Sequence, residues 1–315
     1  MHKQAKTQTH KPKWRSWVLG ILLFAAILIR IVLVYRHTTA IQTLDWSASW
    51  YRIPLSMSLM SIGLFLAAKV WSDLMTTLGS ELPTSVHIQY YCITHVSRRI
   101  PGNLWFLAGR GYLYQQHEES LRVVAVASGV EWFIGLLAGG IMALLMISYS
   151  LIEMTNQQTA VLFIALASSL LLLQPQTIQW LAKRAKLTQF QKIRYQDLLK
   201  WLIQYMVLWS IGGLILYFIT GLVTDVSLPH FPHILGSWSL IGTVSALIIF
   251  IPTNLGFSDI GLAFLLTSIM PASVAIVTVA LSYFVFLVYE IIGIAVILGG
   301  LSLHHAQWLK PNEQA

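Results

Sequence analysis

Charge is scarce in this chain. Asp, Glu, Lys and Arg make up 10% of its 315 residues, and hydrophobic residues make up 56%. An ordinary soluble domain is about 25% charged. With a mean hydropathy of +0.68, the composition excludes both a soluble globular domain and a disordered one. Cysteine is nearly absent as well. Cys92 stands alone, which excludes an intrachain disulfide and any cysteine-based zinc site; its simplest role is that of a small buried apolar residue. The patterns GxxxxGK[ST], GxSxG and HExxH are missing, so ATP-driven transport and the common hydrolase sites have no support. His230 and His233 have no third ligand nearby, so neither a metal nor a cofactor is expected. There is a basic excess, 20 Lys+Arg against 12 Asp+Glu. It forms no basic stripe interleaved with aromatics outside the apolar runs, so nucleic acid is not an expected partner.

Long apolar runs are abundant. A bilayer core needs roughly 20 apolar residues as helix, and six runs qualify: Trp17–Tyr35, Ile53–Trp71, Val123–Tyr149, the shorter Thr159–Leu173, Trp201–Leu222 and Pro271–Gly300. Two further regions are apolar but interrupted, Val86–Tyr114 at Pro101-Gly102 and Trp238–Met270 at Pro252. Each reads as two short helices meeting at a break. The expected fold is an all-α integral membrane protein with about six full spans, two broken or re-entrant hairpins and an inverted repeat. Trp14, Trp17, Tyr35, Trp71, Trp201 and Trp238 lie near span ends and read as interface anchors.

The organisation expected is a basic tail over residues 1–16, one membrane domain over 17–300 and a tail over 301–315. The repeat halves fall roughly at 53–173 and 201–300, joined by a basic linker at 174–200. The first run is too long for a cleavable signal core and reads as a retained anchor. Lys3, Lys6, Lys11, Lys13 and Arg15 place the start of the chain in the cytoplasm. Alternation then puts Arg98, Arg99, Arg110, Arg122 and the six basic residues of the linker inside. The loops Ser150–Gln158 and Val223–Ser237, which have no Lys or Arg, fall outside. Both termini are expected in the cytoplasm. The linker reads either as an amphipathic surface helix on anionic headgroups or as a solvated connection.

The two breaks resemble each other. Ile100-Pro101-Gly102-Asn103-Leu104-Trp105-Phe106 and Ile251-Pro252-Thr253-Asn254-Leu255-Gly256-Phe257 share the pattern I-P-x-N-L-x-F, 151 residues apart. Proline removes an N–H and breaks the helix. Broken backbone at membrane depth is tolerated only where protein or a wet cavity covers it, and Asn103 and Asn254 are placed to cap the next half-helix. The first break starts and ends inside, the second outside. As hairpins they enter from opposite faces, the discontinuous-helix arrangement of many secondary transporters. Two ordinary proline-kinked helix pairs are the alternative.

Glu131 and Glu290 lie about 12 and 15 Å inside their runs, where charge is costly and must be paired or wetted. Asp259 follows the second break; Arg98, Arg99 and Arg110 flank the first. Arginine forks match phosphate oxygens, which points to a lipid headgroup, with a purely structural ion pair as the alternative. Arg98 and Arg99 also suit a topology anchor.

The segment Arg98-Arg99-Ile100-Pro101-Gly102-Asn103-Leu104-Trp105, followed by Gly109-Arg110, resembles the "(R/K)-x-(I/L)-P-G-x-(V/L)-W" segment of the lysylphosphatidylglycerol synthase transmembrane, or flippase-like, family. Pro252-Thr253-Asn254-Leu255-Gly256-Phe257-Ser258-Asp259, with Glu290 beyond it, resembles that family's "P-x-x-x-G-x-x-E" segment. Asp259 stands where many members have Glu, and Thr253 where Gly is usual. The resemblance implies a membrane domain that moves a lipid, an anionic phospholipid or a polyprenyl-linked precursor, between leaflets of the cell membrane. With no aminoacyl-transferase domain following in this chain, lysyl transfer is not expected. The residues expected at the headgroup cavity are Arg98, Arg99, Pro101, Gly102, Asn103, Arg110, Glu131, Pro252, Asn254, Gly256, Asp259 and Glu290. Two other classes compete: a non-catalytic partner of envelope glycolipid or polysaccharide synthesis enzymes, and a membrane-embedded transferase. The external loops carry only Asp45, Glu153 and Asp225 for the acid–base chemistry a transferase needs.

Overall fold

The structure, a computed structural model, describes residues 28–29, 31–32, 36, 50–99, 105–150, 164, 174, 176, 179, 193–248 and 256–308. These residues are helical with short turns, and no strand occurs among them. The helices are α1 (Arg52–Thr77), α2 (Thr84–His95), α3 (Trp105–Gln115), α4 (Leu121–Ser150), α5 (Tyr195–Val223), α6 (Phe231–Leu247), α7 (Phe257–Leu266) and α8 (Ala272–Trp308). A 3-10 turn, Val96–Arg99, follows α2. The chain is an all-α membrane protein. Four helices are long and apolar enough to cross a bilayer, over Arg52–Thr77, Leu121–Tyr149, Tyr195–Val223 and Ala272–Ser302. They coincide with four of the six apolar runs; Trp17–Tyr35 and Thr159–Leu173 lie largely outside the described residues, as do the first tail and most of the linker, while α8 runs on to Trp308, past the boundary expected at 300. Large apolar side chains such as Ile62, Ile260, Phe264 and Val296 are exposed, as a surface meeting lipid requires.

Local chemistry sets the helix ends. α1 closes in a Schellman turn, with Gly79 N–H donating to Thr76 O and Ser80 N–H to Met75 O, both at 3.0 Å, and Gly79 at φ 96°. At the start of α5 the Asp197 carboxylate accepts the Arg194 N–H at 3.0 Å.

Packing fixes the helix directions. α1 and α5 run antiparallel, with Gly63 against Ile211 and Gly221 against Arg52, and Lys200 Nζ 2.8 Å from Asp73 Oδ2 at one end. α4 and α5 run parallel, with Gly135 against Tyr205 and Gly139 against Trp209. α5 therefore starts at the end of the bundle where α4 starts. α2 and α3 form one hairpin, with Gly109 on Thr94 and His87 on Tyr114. α6 and α7 form another, with Gly261 on Ile241 and His233 on Ser268. The first hairpin opens at the end where α1 finishes and α4 begins, the second at the end where α5 finishes and α8 begins. Long helix, hairpin, long helix thus occurs twice, in opposite orientations.

The main core joins Trp71, Leu74, Tyr91, Val124, Ile134, Trp201 and Ile294. Trp71 and Trp201 are fully or almost fully buried, which overturns their expected part as interface anchors. Trp238 is half-buried and stacks on Phe286, centroids 5.0 Å apart and planes 6° apart. Their indoles fill space between helices, where large flat rings bury more area than at a span end.

Candidate functional site

Between the two hairpins lies a cavity of about 1150 Å³. Its wall is largely apolar, drawn from every described helix, and includes Arg98, Glu131, Asp259 and Glu290. The first hairpin places Arg98 at its tip, in the turn after α2, and Arg110 on α3. Glu131, ten residues into α4, receives both. Arg98 Nη2 donates to Glu131 Oε1 at 3.1 Å. Arg110 Nη1 donates to Oε2, and its Nη2 reaches Oε1 at 3.5 Å.

The two arginines differ in access. Arg98 is 36% exposed against 6% for Glu131, whereas Arg110 is 0% exposed and does not line the cavity. Aromatic faces hold it: its guanidinium carbon is 3.9 Å from the Trp71 ring centroid, 4.8 Å from that of Tyr91 and 5.3 Å from that of Phe106. Such stacking suits a weakly hydrated planar cation. Arg98 lies 4.5 Å from the Phe106 centroid. The expectation that Arg110 holds a ligand phosphate is therefore corrected. It anchors Glu131, and Arg98 is the guanidinium that meets the cavity. Tyr205 lines the cavity on α5.

Glu290, on α8, is 3.6 Å from His95 Nε2. Asp259 lies in the first turn of α7, which begins after Gly256 at φ 119°; Gly256 itself is not part of the wall. Ser128, one turn from Glu131, and Ser245 present buried hydroxyls along the cavity that find no hydrogen-bond partner among the described residues. Arg99 is placed by its backbone in the turn. Pro101, Gly102, Asn103, Pro252 and Asn254 lie outside the described residues.

His95, Tyr91, Phe106 and Tyr205 belong to the site, yet nothing in the local sequence marks them. One signal was available: His95 lies three residues before Arg98, in the segment leading to the first break. No group of three or more His, Cys, Asp or Glu able to hold a metal occurs among the described residues. The arrangement offers a guanidinium facing a large apolar space, with carboxylates on other walls. Set against protein families and curated proteins, the chain matches none.

Proposed function

We propose that this chain binds a lipid by its headgroup and passes it between the leaflets of the inner or plasma membrane. Under this reading it is multi-pass with both termini in the cytoplasm, as the one-sided distribution of Lys and Arg suggests, and it is akin to the flippase-like family its motifs resemble. The observation that carries the reading is an apolar cavity of about 1150 Å³, walled by two opposed hairpins, with the partly exposed guanidinium of Arg98 in its wall. The cavity exceeds the roughly 300–1,000 Å³ of small-molecule clefts. The Arg98 guanidinium suits a phosphate, carried by an anionic phospholipid or a polyprenyl-linked lipid.

The test is leaflet exchange of a labelled anionic phospholipid in proteoliposomes, normalised to folded protein. Arg98→Ala leaves Glu131 neutralised by Arg110, so the fold persists while exchange falls about tenfold, the equivalent of one charge-assisted hydrogen bond. Arg98→Lys recovers part of the loss, because a point charge lacks the fork. No exchange by the wild type across several lipid classes overturns the reading, and favours a non-catalytic member of an envelope-synthesis complex.

A further inference from the structure

Exposure is spread unevenly over the cavity wall. Among the described residues that line it, every exposed one lies on α3 or α4. On α3 these are Ala108, Tyr112 and Gln115; on α4 they are Leu121, Ala125, Gly129 and Trp132. Both sets recur at steps of three or four, so each occupies one face of its helix. Tyr112 is 65% exposed and Trp132 38%. The rest of the wall is buried or half-buried. The cavity therefore opens sideways, along a face that α3 and α4 share.

We infer that this face binds the hydrocarbon chain of a membrane lipid whose headgroup enters the cavity, and that the cavity is open to one leaflet only. The inference rests on the lipid reading above and adds where the chain lies and from which leaflet it comes. The α4 part of the face belongs to a membrane-crossing span. From Leu121 to Trp132 it rises about 16 Å at 1.5 Å per residue, roughly half of a ~30 Å hydrocarbon core, which is the depth of one leaflet. Apolar bodies dominate it, and it leads to the wall that holds Arg98. An amphiphile matches both parts, with its chain on the face and its phosphate at the guanidinium.

Two neighbours on α4 point to the ligand. Gly129 stands in mid-helix, where glycine costs stability, yet a Cβ there would meet no atom within 4 Å. No close helix contact among the described residues requires the glycine; its bareness keeps the face low. Ser128 beside it lines the cavity and is 3% exposed, and its hydroxyl finds no hydrogen-bond partner among the described residues. Buried hydroxyls are normally bonded, and a headgroup oxygen passing Gly129 supplies the missing partner. At the other end Leu121 packs on Gly111, which closes the face at the turn joining α3 to α4.

The second half of the chain shows the opposite state. The offset of 151 residues between the two breaks carries Tyr112 and Gln115 onto Ala263 and Leu266 of α7, and Ala125, Gly129 and Trp132 onto Ile276, Ala280 and Tyr283 of α8. None of these counterparts is exposed. Leu262, Leu266, Ala275 and Val279 join α7 to α8 in a buried cluster. The face that would open to the other leaflet is thus filled by its own side chains. With the two halves in opposite orientations, the open face belongs to the leaflet where α4 begins, the cytoplasmic one under the orientation proposed above.

The probe is phosphatidylglycerol with a diazirine midway along one acyl chain, photolysed in proteoliposomes, with adducts located by mass spectrometry. Adducts at Tyr112, Ala125 and Trp132 should fall severalfold when the host lipid is changed from phosphatidylcholine to phosphatidylglycerol at constant probe. Adducts at Val296, exposed but outside the wall, should not change. Gly129→Trp fills the open space and should lower both the adducts on the face and leaflet exchange severalfold, in protein that elutes from size exclusion like the wild type. Ala125→Phe repeats the test if Gly129→Trp fails to fold, and Val296→Phe should exchange lipid like the wild type. Adducts on the face that ignore the host lipid overturn the chain site, and so do cross-links between two copies through Tyr112→Cys. Equal, host-sensitive adducts at Ala263 and Ile276 overturn the one-sided opening. Wild-type exchange that the filled variants leave untouched overturns the inference and leaves the lipid reading standing. No wild-type exchange, with host-sensitive adducts still on the face, removes the movement of lipid and keeps the chain site.

Discussion

Trp71 and Tyr114, on α1 and α3, are joined by a buried hydrogen bond: the indole N–H donates to the phenol oxygen at 2.8 Å. The same phenol is 2.7 Å from His87 Nδ1 on α2. Trp is a donor only, so the Tyr114 oxygen accepts from it; which of Tyr114 and His87 donates in the second contact is set by the imidazole tautomer. One hydroxyl thus ties both arms of the first hairpin to α1, beneath the stacked guanidinium of Arg110.

Tyr114→Phe keeps the ring contacts and strands the Trp71 donor in an apolar interior. The expected cost is about 1–3 kcal/mol, measured as a lower melting temperature in detergent. Lipid exchange per folded molecule should stay at the wild-type level, because Tyr114 does not reach the cavity. A large loss of exchange at unchanged stability would contradict this placement.

Glu131→Gln leaves two guanidiniums facing each other without a counter-charge, one of them fully buried. Breaking such a pair from one side costs roughly 3–5 kcal/mol. Arg110→Gln alone leaves Glu131 with Arg98 and should cost less. Because the two residues share hydrogen bonds, the double variant should be more stable than the sum of the single effects implies. Equilibrium unfolding of all four proteins in one detergent checks this; additive losses would show that the pair is not coupled.

Much of the frame was legible in the residues alone. The four long helices follow from apolar length, and the opposed hairpins follow from the repeated I-P-x-N-L-x-F and from the side on which basic residues gather. Pairing of Glu131 with arginine was legible as a class of contact, since a carboxylate at that depth must be neutralised. What could not be read was which arginine faces the ligand. Arg110 is withdrawn by Trp71, Tyr91 and Phe106, which come from three separate helices, and no local spacing records that. His95 and Glu290 lie in opposite halves of the chain, so their meeting depends on how the first hairpin packs against α8.

Orientation gives the third prediction. Ser227 and Glu118 are exposed, in the turns at opposite ends of the bundle. On a background in which the buried Cys92 is replaced by Ala, Ser227→Cys should react with a membrane-impermeant maleimide in intact cells. Glu118→Cys should react only after permeabilisation. The reverse pattern would invert the orientation while leaving the fold intact.

The order of residues around Glu131 bears on how the protein is made. Arg98 and Arg110 precede their carboxylate by 33 and 21 residues, so a ribosome delivers two cations before the anion that neutralises them. Seating either guanidinium alone at the bilayer centre costs roughly 2.5–3.5 kcal/mol or more, a penalty that falls once α4 arrives. A first hairpin that stays at the membrane interface until α4 is made, and enters together with it, avoids that cost.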